Sequence, residues 1–255
     1  MRIPLSNGIN IYYNVYGSEN KDVVVLIHHL AGSINSWKYI HPSLSTRFKV
    51  IVYDLRGHGR SSIPPSTYMI EDHYEDLKLL LEIENVKDPI IIGHSLGTLI
   101  ALEYVLNNPV SKMILIGALY KAPSPEPYMK YVEIATNLGM RALAEYRREI
   151  GDLPPSLYKN ERAWNDFLSV YMENNPLGYK YSVEGLLKSK DYSEKLESID
   201  ESTLLIYGSE DKLSQNLQTF LKKLMKPSKE ILDGYGHFLN FECPDILLQK
   251  ILSFL

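Results

Sequence analysis

Short apolar runs alternate with helical patterns along most of this chain, and the alternation restricts the fold to one class. The buried-strand runs lie at residues 23–27, 48–53, 90–92, 113–116, 204–207 and 230–232. Helical patterns lie at residues 34–44, 68–83, 96–106, 215–225 and 244–255. Apolar strands that alternate with helices indicate a parallel sheet with helices packed on both faces. The sequence therefore predicts an α/β fold built on a doubly wound, mostly parallel sheet.

Residues 1–16 predict an antiparallel hairpin at the edge of this sheet. Asn7-Gly8 is a strong turn signal, and every second residue from Ile9 to Val15 is apolar. Two strands joined by so short a turn pair in opposite directions. The hairpin would therefore add antiparallel strands to the parallel sheet.

The strand and helix alternation stops at Gly117. The segment Lys121-Ala-Pro-Ser-Pro-Glu-Pro127 holds too many prolines for a central strand or a helix interior. Residues 128–198 then show several helical patterns and no buried-strand run. We therefore expect a helical cap inserted after the strand at 113–116. The predicted domains are a core of residues 1–117 and 199–255 and a cap of residues 118–198.

The charge and composition of the chain argue against several kinds of partner. The formal net charge is −4, and no run of lysine and arginine suggests binding to nucleic acid or to a lipid surface. No stretch approaches the ~18 apolar residues of a membrane span, and the first residues lack the apolar core of a signal peptide. We therefore expect a cytoplasmic protein without nucleic-acid or membrane partners, and the oligomeric state stays open.

The segment Gly93-His-Ser-Leu-Gly97 has the pattern G-x-S-x-G between an apolar run and a helical pattern. A strand, a tight turn and a helix with this pattern can form a nucleophile elbow, in which a strained serine lies above the carboxyl ends of the strands. The alternative is a turn whose serine only caps the following helix. Because the flanking elements match the elbow, we predict that Ser95 is a nucleophile.

A serine nucleophile needs a base, and the base needs a carboxylate that orients it. In a sheet of this kind, both groups should lie in loops after later strands. Asp211 follows the next-to-last predicted strand, and His237 follows the last one. We predict that Ser95, His237 and Asp211 form a catalytic triad, with Glu210 and Asp233 as rival carboxylates.

These features together resemble the α/β-hydrolase family, and the resemblance covers almost the whole chain. Asp54-Leu-Arg-Gly-His-Gly-Arg-Ser61 is similar to the family's D-x-R-G-x-G-x-S segment, and residues 236–244 resemble its G-H-x(4)-E-x-P ending. We expect the first segment to be scaffold and Glu242 to be a carboxylate at a helix start. The resemblance implies hydrolysis of an ester through an acyl-enzyme, without a metal or another cofactor.

The resemblance also implies an oxyanion hole made of two backbone N–H groups. One belongs to Leu96, directly after the nucleophile, and the other to Leu30, after the strand at 23–27. The family has a His-Gly pair in this loop; His28 matches the histidine, but His29 occupies the glycine position. The two histidines could be metal ligands, a catalytic base or loop residues. No third ligand is evident and His237 is better placed as the base, so we favour the loop interpretation. A left-handed backbone at His29 would be strained.

The cap should line the substrate pocket. The candidate substrate-binding residues are His29 in the core and Met129, Tyr131, Trp164 and Phe167 in the cap. The alternative is that these cap residues only pack the cap onto the sheet. Nine tyrosines between Tyr120 and Tyr192 are interpreted as packing residues. The pocket residues predict a small or medium apolar ester or lactone as the substrate.

Two other kinds of function fit the same residues. An acyltransferase, a perhydrolase or a thioesterase would use an identical triad. A receptor-like binding protein on this fold would keep the triad without sustained turnover. The sequence does not separate these functions from ester hydrolysis.

Overall fold

An eight-stranded sheet runs through the computed structural model, which describes residues 1–255. The strands are β1 (Arg2–Pro4), β2 (Asn10–Tyr16), β3 (Val23–Ile27), β4 (Lys49–Tyr53), β5 (Ile90–His94), β6 (Lys112–Ile116), β7 (Thr203–Gly208) and β8 (Pro227–Leu232). Their order in the sheet is β1-β2-β4-β3-β5-β6-β7-β8. β1 and β2 pair antiparallel, β2 pairs antiparallel with β4, and all other pairs are parallel. The predicted mostly parallel sheet with an antiparallel hairpin is confirmed.

The helices of the core differ from the predicted ones mainly at their ends. They are α1 (His41–Leu44), α2 (Ile70–Ile83), α3 (Leu96–Val105), α9 (Leu217–Lys223), α10 (Leu239–Glu242) and α11 (Pro244–Phe254). The helix predicted over 34–44 is instead a 3-10 turn, Ile34–Trp37, followed by the single turn of α1. Pro42 lies in the first turn of α1, where its missing N–H costs nothing, so it starts a new helix rather than continuing the earlier turn. None of the helices combines the length and the hydropathy of a membrane span.

Five helices form the insertion between β6 and β7. They are α4 (Glu126–Leu138), α5 (Met140–Glu149), α6 (Pro155–Tyr158), α7 (Glu161–Met172) and α8 (Pro176–Leu187). The helical cap therefore follows β6 as the sequence predicts, and the division into domains at residues 118 and 198 stays a prediction.

The central strands are apolar on both faces because helices cover both. Val25 and Ile27 of β3 pack into one cluster with residues of α2 and α3. Val24 and Leu26 point to the opposite face and pack with residues of α1 and α11. Alternate residues of a strand point to opposite faces, so two buried faces require a continuous apolar run.

A third apolar cluster joins the cap to the carboxyl edge of the sheet. Most of its residues come from α4, α5, α7 and α8, and it also contains Ala31 and Phe238 from core loops and Phe241 from α10. The amide of Asn174, which follows α7, donates a hydrogen bond of 2.9 Å to the carbonyl of Ala31. The cap is thus packed directly over the loops that follow β3 and β8.

Five of the seven histidines are almost completely buried, and all five lie in the core. They are His28, His29, His58, His73 and His94. Burial is the main cause that lowers the pKa of each, to about 4 for His58. Both ring nitrogens of His73 lack a hydrogen-bond partner. These histidines are therefore neutral in the folded protein near neutral pH.

We expect the free energy of unfolding to fall when the pH is lowered from about 7.5 to about 6. Histidines in the unfolded chain, with an ordinary pKa near 6.5, bind protons in this range, whereas the buried histidines do not. Each histidine that stays neutral in the folded state should cost about 0.8 kcal/mol over the interval. Urea unfolding at the two pH values measures the change.

His73→Phe is the matched variant for this measurement, because it removes one buried histidine whose ring makes no hydrogen bond. Its unfolding free energy should depend on pH less steeply by about one histidine's share. A wild-type stability that is the same at both pH values would contradict the assignment of neutral buried histidines.

Candidate active site

Ser95 lies at the junction where β5 runs directly into α3. Its backbone has φ 54° and ψ −115°, a conformation that residues other than glycine rarely adopt. The Ser95 N–H donates to the carbonyl of Ile116 in β6, over 2.9 Å, and the Ser95 carbonyl accepts from the Thr98 hydroxyl, over 2.6 Å. These hydrogen bonds hold the strained residue at the carboxyl edge of the sheet.

Gly93 and Gly97 permit the close approach of strand and helix around Ser95. A Cβ on Gly93 would lie 2.5 Å from the carbonyl oxygen of Gly97. A Cβ on Gly97 would lie 2.4 Å from the carbonyl oxygen of Ile27. Contacts this short do not occur, so each glycine of the G-x-S-x-G pattern has a steric reason.

His237 and Asp211 are joined by a hydrogen bond at the same edge of the sheet. His237 Nδ1 lies 2.9 Å from Asp211 Oδ2, while Asp211 Oδ1 accepts the N–H of Leu213. The Asp211 side chain is 2% exposed and that of His237 is 19% exposed. An ionised carboxylate only accepts, so Nδ1 carries a proton and Nε2 is left as a basic atom. Of the rival carboxylates, Asp233 accepts a hydrogen bond from Ser209 instead.

The loop that carries His237 is held on both sides. The Glu242 carboxylate accepts the N–H of Gly236 and the N–H of Phe238, both over 2.7 Å. His94 Nε2 donates to the carbonyl of His237 itself, over 2.8 Å. Glu242 therefore acts on this loop rather than at the helix start expected from its sequence position. Nothing in the sequence around Glu242 predicts which amides it binds.

Gly117 packs against the histidine and the aspartate. It has φ +53°, and a Cβ there would lie 2.7 Å from His237 Nδ1 and 3.1 Å from Asp211 Oδ2. In the sequence, the sign of this contact is a glycine that directly follows the apolar run at 113–116. The sequence alone does not show that His237 and Asp211 reach it.

Two backbone N–H groups near Ser95 make no hydrogen bond within the protein. Leu96 is the first residue of α3, so its N–H has no partner in the helix. The Leu30 N–H is likewise unused, and Leu30 lines the same cavity as Ser95. Both N–H groups therefore have the capacity to bind a ligand oxygen.

The two histidines after β3 have different surroundings. His28 accepts the N–H of Leu55 at Nε2 and donates from Nδ1 to the carbonyl of His29, so it ties together the loops after β3 and β4. His29 lines the cavity, and its ring packs edge-on against Phe238 at 5.2 Å. The left-handed residue of this loop is Ala31, with φ 59°, rather than His29. His29 therefore fills the glycine position without backbone strain.

The Asp54–Ser61 segment is scaffold. The Asp54 carboxylate accepts the N–H groups of Ile34 and Arg60, and burial raises its pKa to about 6. Arg56 forms a two-pronged ion pair with Asp76 of α2, with both hydrogen bonds at 2.7 Å. None of these groups lines the cavity that contains Ser95.

One cavity of about 500 Å³ lies between the cap and the carboxyl edge of the sheet. Ser95, Asp211 and His237 line it, together with His29 and Leu30. Only 10 of its 27 lining residues are hydrophobic, so the wall is more polar than the sequence suggests. Four of these 10 are tyrosines, and the other lining residues include four prolines as well as charged side chains such as Arg147.

Of the four cap residues predicted to line the pocket, one does so. Tyr131 lines the cavity, as His29 does in the core. Met129 is 64% exposed on α4, and Phe167 is buried inside the cap against Tyr171 and Phe238. Trp164 stacks on Phe167, with the Arg148 guanidinium over its ring. These three side chains do not line the cavity.

Comparison with known proteins agrees with this architecture. The family model described as α/β hydrolase fold matches residues 22–140. A putative non-heme chloroperoxidase from Synechocystis sp. is 25% identical over 97% of this chain and 95% of its own. A 3-oxoadipate enol-lactonase from Acinetobacter baylyi is 24% identical over 97% of this chain and 93% of its own.

Solved structures match over nearly the whole length. A carboxylesterase structure from Nitrososphaera gargenis has a TM-score of 0.88 and 25% identity, covering 100% of this chain and 97% of its own. An enol-lactonase from Burkholderia xenovorans has a TM-score of 0.90 and 22% identity, covering 100% and 99%. The strand order, the Ser95 junction and these similarities together establish that the chain has the α/β-hydrolase fold.

Proposed function

We propose that this chain is a serine hydrolase that cleaves a carboxylic ester or a lactone through a covalent acyl-enzyme. The observation that carries the proposal is that Ser95, in its strained backbone, and the His237–Asp211 pair line one cavity. A serine hydroxyl is a poor nucleophile by itself. In the proposed site, His237 is the base that activates Ser95, and Asp211 is the carboxylate that orients His237.

In the first half of the reaction, Ser95 Oγ attacks the ester carbonyl while His237 Nε2 takes its proton. Asp211 holds the imidazole through Nδ1–H and stabilises the imidazolium that forms. The imidazolium then protonates the leaving alcohol, and the acyl group stays on Ser95. In the second half, His237 takes a proton from a water molecule whose oxygen attacks the acyl carbonyl, and the imidazolium then returns the proton to Ser95 Oγ as the carboxylic acid leaves.

The negative oxygen of each tetrahedral intermediate would bind the N–H groups of Leu30 and Leu96. Neither group has a protein acceptor, so both can donate to the oxyanion. Loss of one such donor typically costs about 2.7–4 kcal/mol of activation free energy. The two hydrogen bonds that hold Glu242 to residues 236 and 238 keep His237 in position for both proton transfers.

The names of two similar proteins support ester or lactone chemistry, whereas the putative non-heme chloroperoxidase fits the perhydrolase alternative. One relative that matches along almost all of its length is named a 3-oxoadipate enol-lactonase, and one solved structure is of a carboxylesterase. A lactone is a cyclic ester, so both reactions need the same nucleophile, base and oxyanion hole.

Ser95→Ala is the first test of the proposal. We expect it to lower kcat for the best substrate in a panel of esters and lactones by at least about 10⁴-fold, because the nucleophile is lost. Ser253→Ala, on the exposed face of α11, is the control and should retain wild-type activity. Hydrolysis by Ser95→Ala at the wild-type rate would rule out the mechanism.

The same assays separate the alternative functions. Sustained turnover supports a hydrolase, whereas a burst of product followed by arrest would indicate a binding protein. Product analysis with added thiols, alcohols and peroxide distinguishes transfer to water from transfer to another acceptor.

Gly117→Ala tests the position of the His237–Asp211 pair. The added methyl group would collide with His237 Nδ1 and displace the imidazole, so we expect kcat/KM to fall about a hundredfold. Gly8→Ala is the matched control, because Gly8 also has a positive φ, +85°, but nothing lies within 4 Å of its added Cβ. A Gly117→Ala enzyme with wild-type kcat/KM would show that His237 has no defined catalytic position.

A further inference from the structure

We propose that Arg147, Tyr128 and Tyr179 form a carboxylate-binding subsite in the cavity, so that the substrate is an ester or lactone with a second, free carboxylate. The reaction itself rests on the function proposed above, and the subsite adds the class of substrate. These three side chains are called the Arg147 subsite.

Arg147 is held firmly in the cavity wall, on the last turn of α5. Its Nε donates to Asp152 Oδ2 over 2.8 Å, and a terminal nitrogen donates to the Tyr171 hydroxyl. The guanidinium carbon lies 5.2 Å from the centre of the Tyr131 ring and 5.8 Å from that of Phe238. A guanidinium has five N–H groups, so donors remain for a ligand. The side chain is 16% exposed and lines the cavity.

Two phenol hydroxyls of the cavity wall have no partner in the protein. Tyr179 is only 1% exposed and lines the cavity, yet its hydroxyl makes no hydrogen bond to another protein group. Tyr128 lines the same cavity and is likewise unpaired. Burial raises the pKa of Tyr128 to about 12 and that of Tyr179 well above its usual value. Both therefore keep their protons and can donate to an acceptor.

The charge of Arg147 acts on both phenols. It lowers the pKa of Tyr128 and of Tyr179, against the larger effect of burial, so both hydroxyls lie within its electric field. The Tyr128 ring lies 5.9 Å from the Tyr131 ring, over which the Arg147 guanidinium lies. Tyr179 lines the same cavity, so the free donors of the subsite face one enclosed volume. Arginine N–H groups and phenol hydroxyls around a small volume match the two acceptor oxygens of a carboxylate.

The surrounding charges favour a ligand with one negative charge. Burial raises the pKa of Asp152, but the charges and hydrogen bonds of Arg147 and Lys212 together outweigh it and lower the pKa to about 2, so Asp152 is ionised. Asp152 also pairs with Lys212 over 3.1 Å, which leaves one excess positive charge on the three residues. A single carboxylate balances this excess charge, whereas a phosphate dianion would leave the subsite with a net negative charge. The other two charged side chains of the wall outside the triad, Lys121 and Glu210, have opposite charges.

The subsite lies close to the reacting groups. The Phe238 ring is 5.1 Å from the His237 ring, and the Arg147 guanidinium lies 5.8 Å from the same phenylalanine. Only one aromatic ring thus separates the anion-binding group from the base. The substrate should therefore carry its carboxylate a short carbon chain away from the carbonyl that Ser95 attacks, and the cavity of about 500 Å³ holds a molecule of that size.

A matched pair of esters tests the subsite. Monoethyl glutarate and ethyl valerate have acyl chains of equal length, but only the first ends in a carboxylate. We expect kcat/KM to be higher for monoethyl glutarate. Arg147→Met should lower the ratio of the two kcat/KM values about tenfold or more, because a charge-assisted hydrogen bond is lost. The control is Arg148→Met, whose guanidinium lies over Trp164 outside the cavity, and it should keep the wild-type ratio.

Tyr179→Phe distinguishes loss of the subsite from a purely structural effect of Arg147→Met. It removes a hydroxyl that no protein group uses, so the fold should be unaffected, and we expect the ratio to fall about threefold or more. A structural role would lower both kcat/KM values equally. An unchanged ratio in both variants, or a wild-type preference for ethyl valerate, would overturn the proposal.

Binding to the Ser95→Ala protein separates this proposal from the reaction. Calorimetry should show that monoethyl glutarate binds about tenfold more weakly when Arg147→Met is added. If no ester is hydrolysed but this difference is found, the proposed function fails and the subsite stands. If esters are hydrolysed and the two proteins bind monoethyl glutarate equally, the subsite fails and the function stands.

Discussion

The tight junction between β5 and α3 is the constraint on which the rest of the site depends. Ser95 has φ 54° there because the strand enters the helix without an intervening loop. The conformation persists only because its surroundings enforce it: two glycines permit the approach, and hydrogen bonds from β6 and α3 hold the backbone. A relaxed backbone would turn the hydroxyl away from the cavity. The packed sheet therefore stabilises a strained backbone at the residue that we propose as the nucleophile.

The cavity has two chemically different ends. At one end, the hydrogen-bonded His237 and Asp211 line the cavity together with Ser95, and unused backbone N–H groups are available for a ligand oxygen. At the other end, the cap contributes a held guanidinium and unpaired phenols. Phe238 packs between them and also belongs to the apolar cluster that joins cap to core. The same cluster thus sets the spacing between the proposed reacting group and the proposed anion-binding group.

The sequence predicts the parts of this arrangement that repeat a local pattern. Apolar runs locate the strands because both faces of the sheet are buried, and the G-x-S-x-G pattern locates Ser95 because each glycine is sterically required. It predicts the cap wall less well, since Phe167 and Trp164 turn away from the cavity while Arg147 and Tyr179 turn toward it. Which face of a cap helix points inward depends on contacts between distant segments. For the same reason the roles of Gly117 and Glu242 appear only in the folded structure.

The nucleophilicity of Ser95 is the central claim, and covalent labelling measures it most directly without a known substrate. The protein is treated with a small alkyl fluorophosphonate, and the intact mass and the modified peptide are determined by mass spectrometry. The account predicts a single adduct on Ser95 that forms rapidly in the wild type and far more slowly in His237→Ala, which lacks the base. An unmodified protein, or an adduct on another residue with Ser95 free, would contradict it.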